Sequence, residues 1–302
     1  MGKPMARNLL RAGYRLTVRS RSPGPVEELK AEGAEARESP RAVAERSDVV
    51  ITMLPDSPDV EQVCLGAMGL IETPRADARE RPFPLTVIDM STISPRVSGT
   101  IGERLAAVGM DFLEAPVSGG DVGAIRGTLS IMAGGPPEVF ERVKPIFQTL
   151  GKSSILIGGW GAGQTTKLAN NIICATTIEA VAEAFVLGAK AELDPEKMFQ
   201  ALRGGAAACW SLENKVPKIV ARDFEPGFMV QLHLKDLNLA LEAARQLNVD
   251  LPVTRQVRDM LAELVEEGRG RDDNGALVRV LERRAGVEVR RRGSPAADGT
   301  SD

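Results

Sequence analysis

The sequence predicts a doubly wound α/β domain followed by an all-α domain, and three observations carry that prediction. Strand-like apolar runs alternate with helical patterns through the first half. Several of these runs, such as Val49 to Leu54, are apolar on both faces, as strands of a parallel sheet covered by helices on both sides must be. From Gly161 to about Glu288 helical periodicity takes over and the strand pattern stops.

The elements follow in order. Pro4 in a first turn and Gly13 at a C-cap bracket an opening helix. Tyr14 to Val18 is a short β-rich segment, and "SPGPVEELKAEGA" gives a loop and a helix closed by Gly33. A short helix in "SPRAVAER" leads into the strand Val49 to Leu54, and a helix lies around Val60 to Leu65. Next come the strand Leu85 to Met90, the helix Pro95 to Val108 and the strand "DFLEAPV". "TLSIMAGG" and "SSILIGG" are the last strand-like runs. Gln164 to Lys190 is Ala-rich and free of proline, which predicts one long helix. The expected organisation is a nucleotide-binding-type domain over 1–160, an all-α domain over 161–289 and a disordered tail over 290–302, rich in Gly, Ser, Ala and Asp after "RRRGSP".

Composition narrows the function classes. Of 302 residues, 43% are hydrophobic and 26% charged, the balance of a globular protein. The 38 basic residues are offset by 41 acidic ones along the chain, so no nucleic-acid partner is expected. No apolar run is expected to reach the roughly 18 residues that span a bilayer, and the opening residues do not read as a signal peptide; the expectation is a cytoplasmic protein with no membrane partner. Cys64, Cys174 and Cys209 are odd in number and far apart, so neither a disulfide framework nor a metal site is expected. The single histidine, His233, lies in a helical pattern and reads as a surface or packing residue, which moves acid–base chemistry to another residue type.

Several segments could carry chemistry, each with a plainer alternative. After the second predicted strand of a dinucleotide fold an acid binds the ribose hydroxyls, and an Arg accommodates a 2′-phosphate; here "RSRSPGP" offers Arg19, Ser20 and Arg21 and no acid before Glu27. That favours NADP over NAD, unless the segment is only a solvated basic turn. Ser91 and Thr92 stand just past a strand end, where open α/β sheets bind ligands, while Ser94 before Pro95 could equally cap a helix. Ser118, Gly119 and Gly120 allow backbone N–H groups to converge on a small carboxylate, or form an ordinary turn. In "GAGQTTKLANN", Lys167 and Asn171 are four apart and share a helix face, either partly desolvated as a proton donor and its partner or simply exposed. Lys235 and Asp236 in "HLKDLNLAL" read as a helix-surface ion pair, and Trp210 as a packing or pocket-wall aromatic.

Taken in order, "MGKPMARNLL", "VVITMLPDSPDVEQV", "IDMSTISP", "APVSGG", "GTLSIMAGG", "GAGQTTKLANN", "GFMVQLHLKDLNLAL" and "LPVTRQVRDM" resemble the blocks of the β-hydroxyacid dehydrogenase family over nearly the whole chain. The resemblance implies a Rossmann-type cofactor domain, NADP or NAD as cofactor, and interconversion of a small β-hydroxyacid with its semialdehyde. Within the family the similarity is to tartronate semialdehyde (2-hydroxy-3-oxopropionate) reductases, with 3-hydroxyisobutyrate dehydrogenases and succinate semialdehyde or glyoxylate reductases as alternatives. A non-catalytic binding or assembly module on the same fold is the alternative from another class. Lys167 matches the catalytic lysine, Asn171 its substrate-contacting partner, and Ser118, Gly119 and Gly120 the carboxylate-binding turn. Leu54, Pro55 and Thr92 match cofactor contacts, and Lys235 matches a lysine that closes over cofactor and substrate. The resemblance also implies a homodimer or homotetramer.

Three features depart from the family pattern. Glu114 stands where Asp is common before "APVSGG", "ETPRADARERPFP" lengthens a connection, and the start is unusual. "MGKPM" matches the end of a G-x-G-x-x-G fingerprint, with Gly2 as the third glycine, so the first strand and first two glycines are missing. Loss of that central strand is expected to leave two neighbouring strands with open edges. The expected explanation is a true start roughly a dozen residues upstream of Met1, since the fingerprint turn follows a strand.

Overall fold

The computed structural model describes residues 1–73 and 83–291. Most of the long connection after Gly69, and all of the expected tail beyond Arg291, lie outside the described residues. The described chain divides into two compact units, Met1–Asn170 and Asn171 onward. The division falls inside a continuous helix, ten residues beyond the joint at 160 read from the sequence. A glycine-rich turn looks like a linker in sequence, but here it only starts the helix that serves both units.

In the first unit the opening helix α1 (Gly2–Arg11) is followed by β1 (Thr17–Val18), α2 (Pro23–Ala31), β2 (Glu35–Ala36), α3 (Pro40–Ala44), β3 (Val49–Thr52), α4 (Ser57–Leu65) and β4 (Thr86–Asp89). Then come α5 (Pro95–Ala107), β5 (Asp111–Glu114), β6 (Val117–Ser118), α6 (Gly120–Arg126), β7 (Leu129–Gly134), α7 (Pro137–Leu150) and β8 (Gly151–Gly158). Proline at the first or second position starts five helices of this unit, α2, α3, α4, α5 and α7. Strands β3, β4 and β5 run parallel in register. The sheet then turns mixed, because β7 pairs antiparallel with β5 and β6 while β8 runs parallel to β7.

Strands β1 and β2 form a separate two-stranded parallel sheet. Among the described residues β3 pairs only with β4, and β1 only with β2. Gly2 lies in α1, where a Cβ would stand 3.8 Å from the Met53 Cβ, an ordinary contact. The predicted close-packing role of Gly2 is thus not imposed by its neighbours here.

Two cores fill this unit, one built around Leu113, Ile131 and Phe147 and one around Val87, Ile101 and Phe112. The Trp160 indole donates to the Phe112 carbonyl at 3.0 Å and lies against Gly102, where a Cβ would meet the ring at 2.5 Å. The second unit is helical: α8 (Ala162–Lys190) enters it and is followed by α9 (Pro195–Arg203), α10 (Trp210–Val220), α11 (Val230–Gln246), α12 (Pro252–Glu266) and α13 (Val278–Ala285). Its core joins Ile178, Phe185, Leu237, Leu261 and Leu277.

Helix α8 corrects one expectation. Over an 18-residue window its mean hydropathy is 1.7, so by length and composition alone it could cross a membrane. Six residues of that helix, Ala175, Ile178, Val181, Ala182, Phe185 and Val186, are core residues of the second unit, and a core helix reaches the same hydropathy.

Asp89 ends β4 with no exposed surface. Its Oδ1 accepts from Thr52 Oγ1 at 2.8 Å and from the Ser91 amide at 3.2 Å, while Oδ2 has no hydrogen-bond partner among the described residues. Burial pushes its carboxyl up to about 6, against the hydrogen bonds from Ser91 and Thr52. The folded chain therefore keeps a proton that the unfolded chain releases near 3.8, and stability falls as pH rises from about 4 to about 6. Asp89→Asn is expected to flatten this slope by roughly 3 kcal/mol across the window. Urea unfolding at a series of pH values measures it, and an unchanged slope would contradict the assignment.

Candidate active site

The segments that follow β3 and β4 are stitched to one another by side chains. The Leu54 amide donates to Ser91 Oγ at 2.9 Å, and the Ser94 amide donates to Ser57 Oγ at 3.0 Å. The predicted cofactor segments Leu54–Pro55 and Ser91–Thr92 are thus neighbours at the end of the parallel strands, where such sheets bind ligands. The alternative of Ser94 as a side-chain cap falls away, since Ser94 precedes α5 without a capping bond from its hydroxyl.

The first turn of α8 is fixed to the same place. Gln164 is fully buried; its Oε1 accepts from the Ile93 amide at 3.1 Å and its Nε2 donates to the Ser91 carbonyl at 3.0 Å. One amide therefore holds both peptide groups around Thr92. Glu114, at the end of β5, accepts the Gly163 and Gln164 amides on Oε1 at 2.7 and 3.1 Å, and Ser98 Oγ donates to its Oε2. A carboxylate there satisfies the open N–H groups of the helix N-terminus and complements its dipole. Burial pushes the Glu114 carboxyl above its usual range, opposed by the hydrogen bonds from Ser98 and from the first turn of α8. The departure from Asp thus has work at this strand end.

One turn further along, Lys167 is buried, with 8% of its surface exposed. This overrules the plainer alternative of an exposed lysine. Asn170 lies three residues on, and its Oδ1 accepts from Ser118 Oγ at 3.3 Å. Ser118 leads into the predicted carboxylate turn, where Gly119 has φ 131° and Gly120 φ 65°. A Cβ on Gly119 would also press to 3.3 Å of Leu129, so glycine is required there by both backbone and packing. In the first unit, then, the loops at Leu54 and Thr92 are tied to the first turn of α8, and Ser118, before Gly119 and Gly120, is tied to Asn170 on the turn after Lys167.

In the second unit, Asn171 is buried and its Nδ2 donates to Asp236 Oδ2 at 2.5 Å. Lys235 pairs with Asp236 Oδ1 at 2.8 Å, with 17% of the lysine side chain and 3% of the aspartate side chain exposed. This is not the helix-surface pair expected from the sequence, because the carboxylate is interior and ties a lysine to an asparagine. His233 is buried as well, at 1% exposed. Trp210, by contrast, is 62% exposed at the start of α10, with the Lys215 ammonium over its ring.

The predicted ribose-side residues have bonds of their own, one of them to the first turn of α4. Ser20 Oγ accepts from the Ser22 amide at 3.2 Å, and Arg21, 70% exposed, pairs with Asp59 at 3.0 Å. Sequence reasoning missed Asn170, Gln164 and Glu114. The doubled "NN" and the glutamine beside the glycine turn were visible, but which of two adjacent asparagines faces Ser118 depends on helix phase.

Two family models match in tandem: the NAD binding domain of 6-phosphogluconate dehydrogenase over residues 1–159, and the NAD-binding domain of NADP-dependent 3-hydroxyisobutyrate dehydrogenase over residues 161–281. The chain is 46% identical to 2-hydroxy-3-oxopropionate reductase of Escherichia coli over 93% of this chain and 94% of that one. This chain belongs to the β-hydroxyacid dehydrogenase family. A second β-hydroxyacid dehydrogenase, the 3-hydroxyisobutyrate dehydrogenase of Pseudomonas aeruginosa, is 37% identical over 87% of this chain and 88% of its own length. Among solved structures, the Mycobacterium tuberculosis 3-hydroxyisobutyrate dehydrogenase with L-serine matches with a TM-score of 0.81 and 31% identity, covering 93% of this chain and 95% of that one. As a β-hydroxyacid dehydrogenase the chain is an NAD(P)-dependent oxidoreductase acting on a CH–OH group, which sets aside the non-catalytic module.

Gln164→Leu keeps the volume of the side chain and leaves the Ser91 carbonyl and Ile93 amide buried without partners. The expected cost is roughly 2–4 kcal/mol of stability, read by thermal unfolding, with a parallel fall in turnover. A variant as stable as its parent would show that these bonds do not hold the loop.

Proposed function

We propose that this β-hydroxyacid dehydrogenase reduces 2-hydroxy-3-oxopropionate to the corresponding hydroxyacid, with NADPH as the preferred cofactor and the reverse oxidation under mass action. The observation that carries the reading is the buried Lys167 on the helix turn whose Asn170 bonds Ser118, beside a glycine turn with two positive φ angles. The 46% identity to the E. coli reductase supports the substrate. The 3-hydroxyisobutyrate relatives support a second reading, a branched hydroxyacid of similar size.

The segments around Leu54 and Thr92 fit a dinucleotide at the carboxyl ends of β3 and β4, where Ser91 and Gln164 tie the two loops in place. When bound, the nicotinamide supplies or accepts the hydride. Ser118 Oγ and the backbone N–H groups of Gly119 and Gly120 hold the substrate carboxylate. Lys167 Nζ then gives a proton to the carbonyl oxygen as negative charge develops there, and takes it back in the oxidation. With little of the side chain in contact with water, the ammonium acts on that oxygen with little screening. Asn171, its amide turned by Asp236, holds a substrate oxygen, and Lys235 contributes a cofactor contact by the family match.

The mostly exposed Arg21, in a segment with no acid before Glu27, supports a 2′-phosphate at the ribose. Cytoplasmic location and a homo-oligomer complete the reading. On α8, Ile173 and Leu187 are 63% and 73% exposed and lie nearly four turns apart on one face, which supports a subunit contact through that helix.

Lys167→Ala is expected to lower kcat by about 10²–10⁴-fold while NADPH binding, read by fluorescence titration, is unchanged; near-normal turnover would refute the role of Lys167. Steady-state kinetics with both cofactors should favour NADPH, and Arg21→Asp should lower kcat/KM for NADPH roughly tenfold relative to NADH. A parent enzyme that prefers NADH would refute the cofactor reading. A screen of 2-hydroxy-3-oxopropionate, methylmalonate semialdehyde, succinate semialdehyde and glyoxylate identifies the substrate.

A further inference from the structure

His233 does more than fill space. Its ring lies on α11, one turn before Asp236, so both side chains leave the same face of the helix. Asp236 takes the side-chain amide of Asn171. Nε2 of His233 lies 3.2 Å from the main-chain carbonyl of the same residue. A carbonyl oxygen can only accept, so Nε2 carries the proton and donates. Nδ1 is then the acceptor of the neutral ring, and Asn274 Nδ2 stands 2.9 Å from it as donor.

The donor to the ring is itself held. Asn274 begins a short 3-10 turn, Asn274–Leu277, directly after Asp273. Asp273 accepts from Lys215 Nζ at 2.7 Å, with both side chains buried, and from the amides of Gly275 and Gly227 at 2.9 and 3.0 Å. Phe228 packs its ring against the imidazole, centroids 5.3 Å apart. The imidazole is thus fixed on three sides, within the second unit.

We propose that His233, in its neutral Nε2–H form set by Asn274, is a positioning residue that holds the main chain of Asn171 while Asp236 holds its side chain, so that the Asn171 amide meets substrate in one orientation. The inference rests on the reading of Asn171 as a substrate contact. Asn171 is held at both ends from one helix, so rotation of its amide and slippage of its backbone are restrained together. Such support for a contacting residue from behind fixes the geometry of a site without touching the reacting atoms.

Because His233 is the only histidine of the chain, its ring can be observed without overlap. Two-bond proton–nitrogen correlation spectra of the ¹⁵N-labelled, untagged full chain are expected to show the Nε2–H tautomer at neutral pH; an Nδ1–H ring would overturn the proposal. His233→Leu is expected to lower kcat/KM for the acid substrate about tenfold, mainly through KM, with NADPH binding unchanged. His233→Gln, whose amide nitrogen can stand where Nε2 stands, should recover most of that loss. Leu and Gln variants that behave alike, or a folded Leu variant with the kinetics of its parent, would overturn it. Should the parent reduce none of the four carbonyl acids, the functional reading fails, and the spectrum of the parent still decides whether the ring makes this bond.

Discussion

The rest of the site depends on how the first turn of α8 is anchored. A helix N-terminus presents N–H groups without partners, and burying it is costly unless something accepts from them. Here Glu114 does so from the end of β5, and Gln164 turns the same helix start into a clamp on the loop after β4. With those bonds in place the phase of the helix is set, and phase decides everything downstream. Lys167 becomes interior and Asn170 meets Ser118, while the next residue, Asn171, belongs to another set of bonds.

Much of this was legible in the sequence because it depends on local pattern. Proline and glycine punctuation located α1, α2 and α5 to within a residue or two, and the uninterrupted run from Gln164 gave α8 almost whole. The two-residue strand β2 carries too little pattern to be seen, and it exists because β1 offers it a parallel partner. The mixed character of the sheet beyond β5 was equally hidden, since strand direction is set by connections and not by alternation.

The site was legible as blocks and less so as contacts. Residue type and order pointed to Lys167, Ser118 and the paired glycines. Glu114 read as a departure from the family pattern, and His233 as a surface or packing residue, because their worth lies in partners 49 and 62 residues away. A sequence window shows a side chain's neighbours in the chain and not the groups that folding delivers to it. The buried polar residues Gln164, Glu114, His233 and Asp236 are therefore where pattern reading stops, each bonded to a group far away in the chain.

The adjacent pair Asn170 and Asn171 has a consequence for how this chain can vary. One bonds Ser118 and the other Asp236, and successive residues of a helix point about 100° apart. A single-residue insertion or deletion between Gln164 and Asn170 would keep the helix, its composition and its hydropathy, yet would place another side chain before Ser118. One between Asn170 and the core residues that follow would do the same before Asp236 and His233. Point substitutions along this stretch are open to compensation, whereas changes of length are not, so the spacing from the glycine turn to the second asparagine is the part of the chain least free to drift.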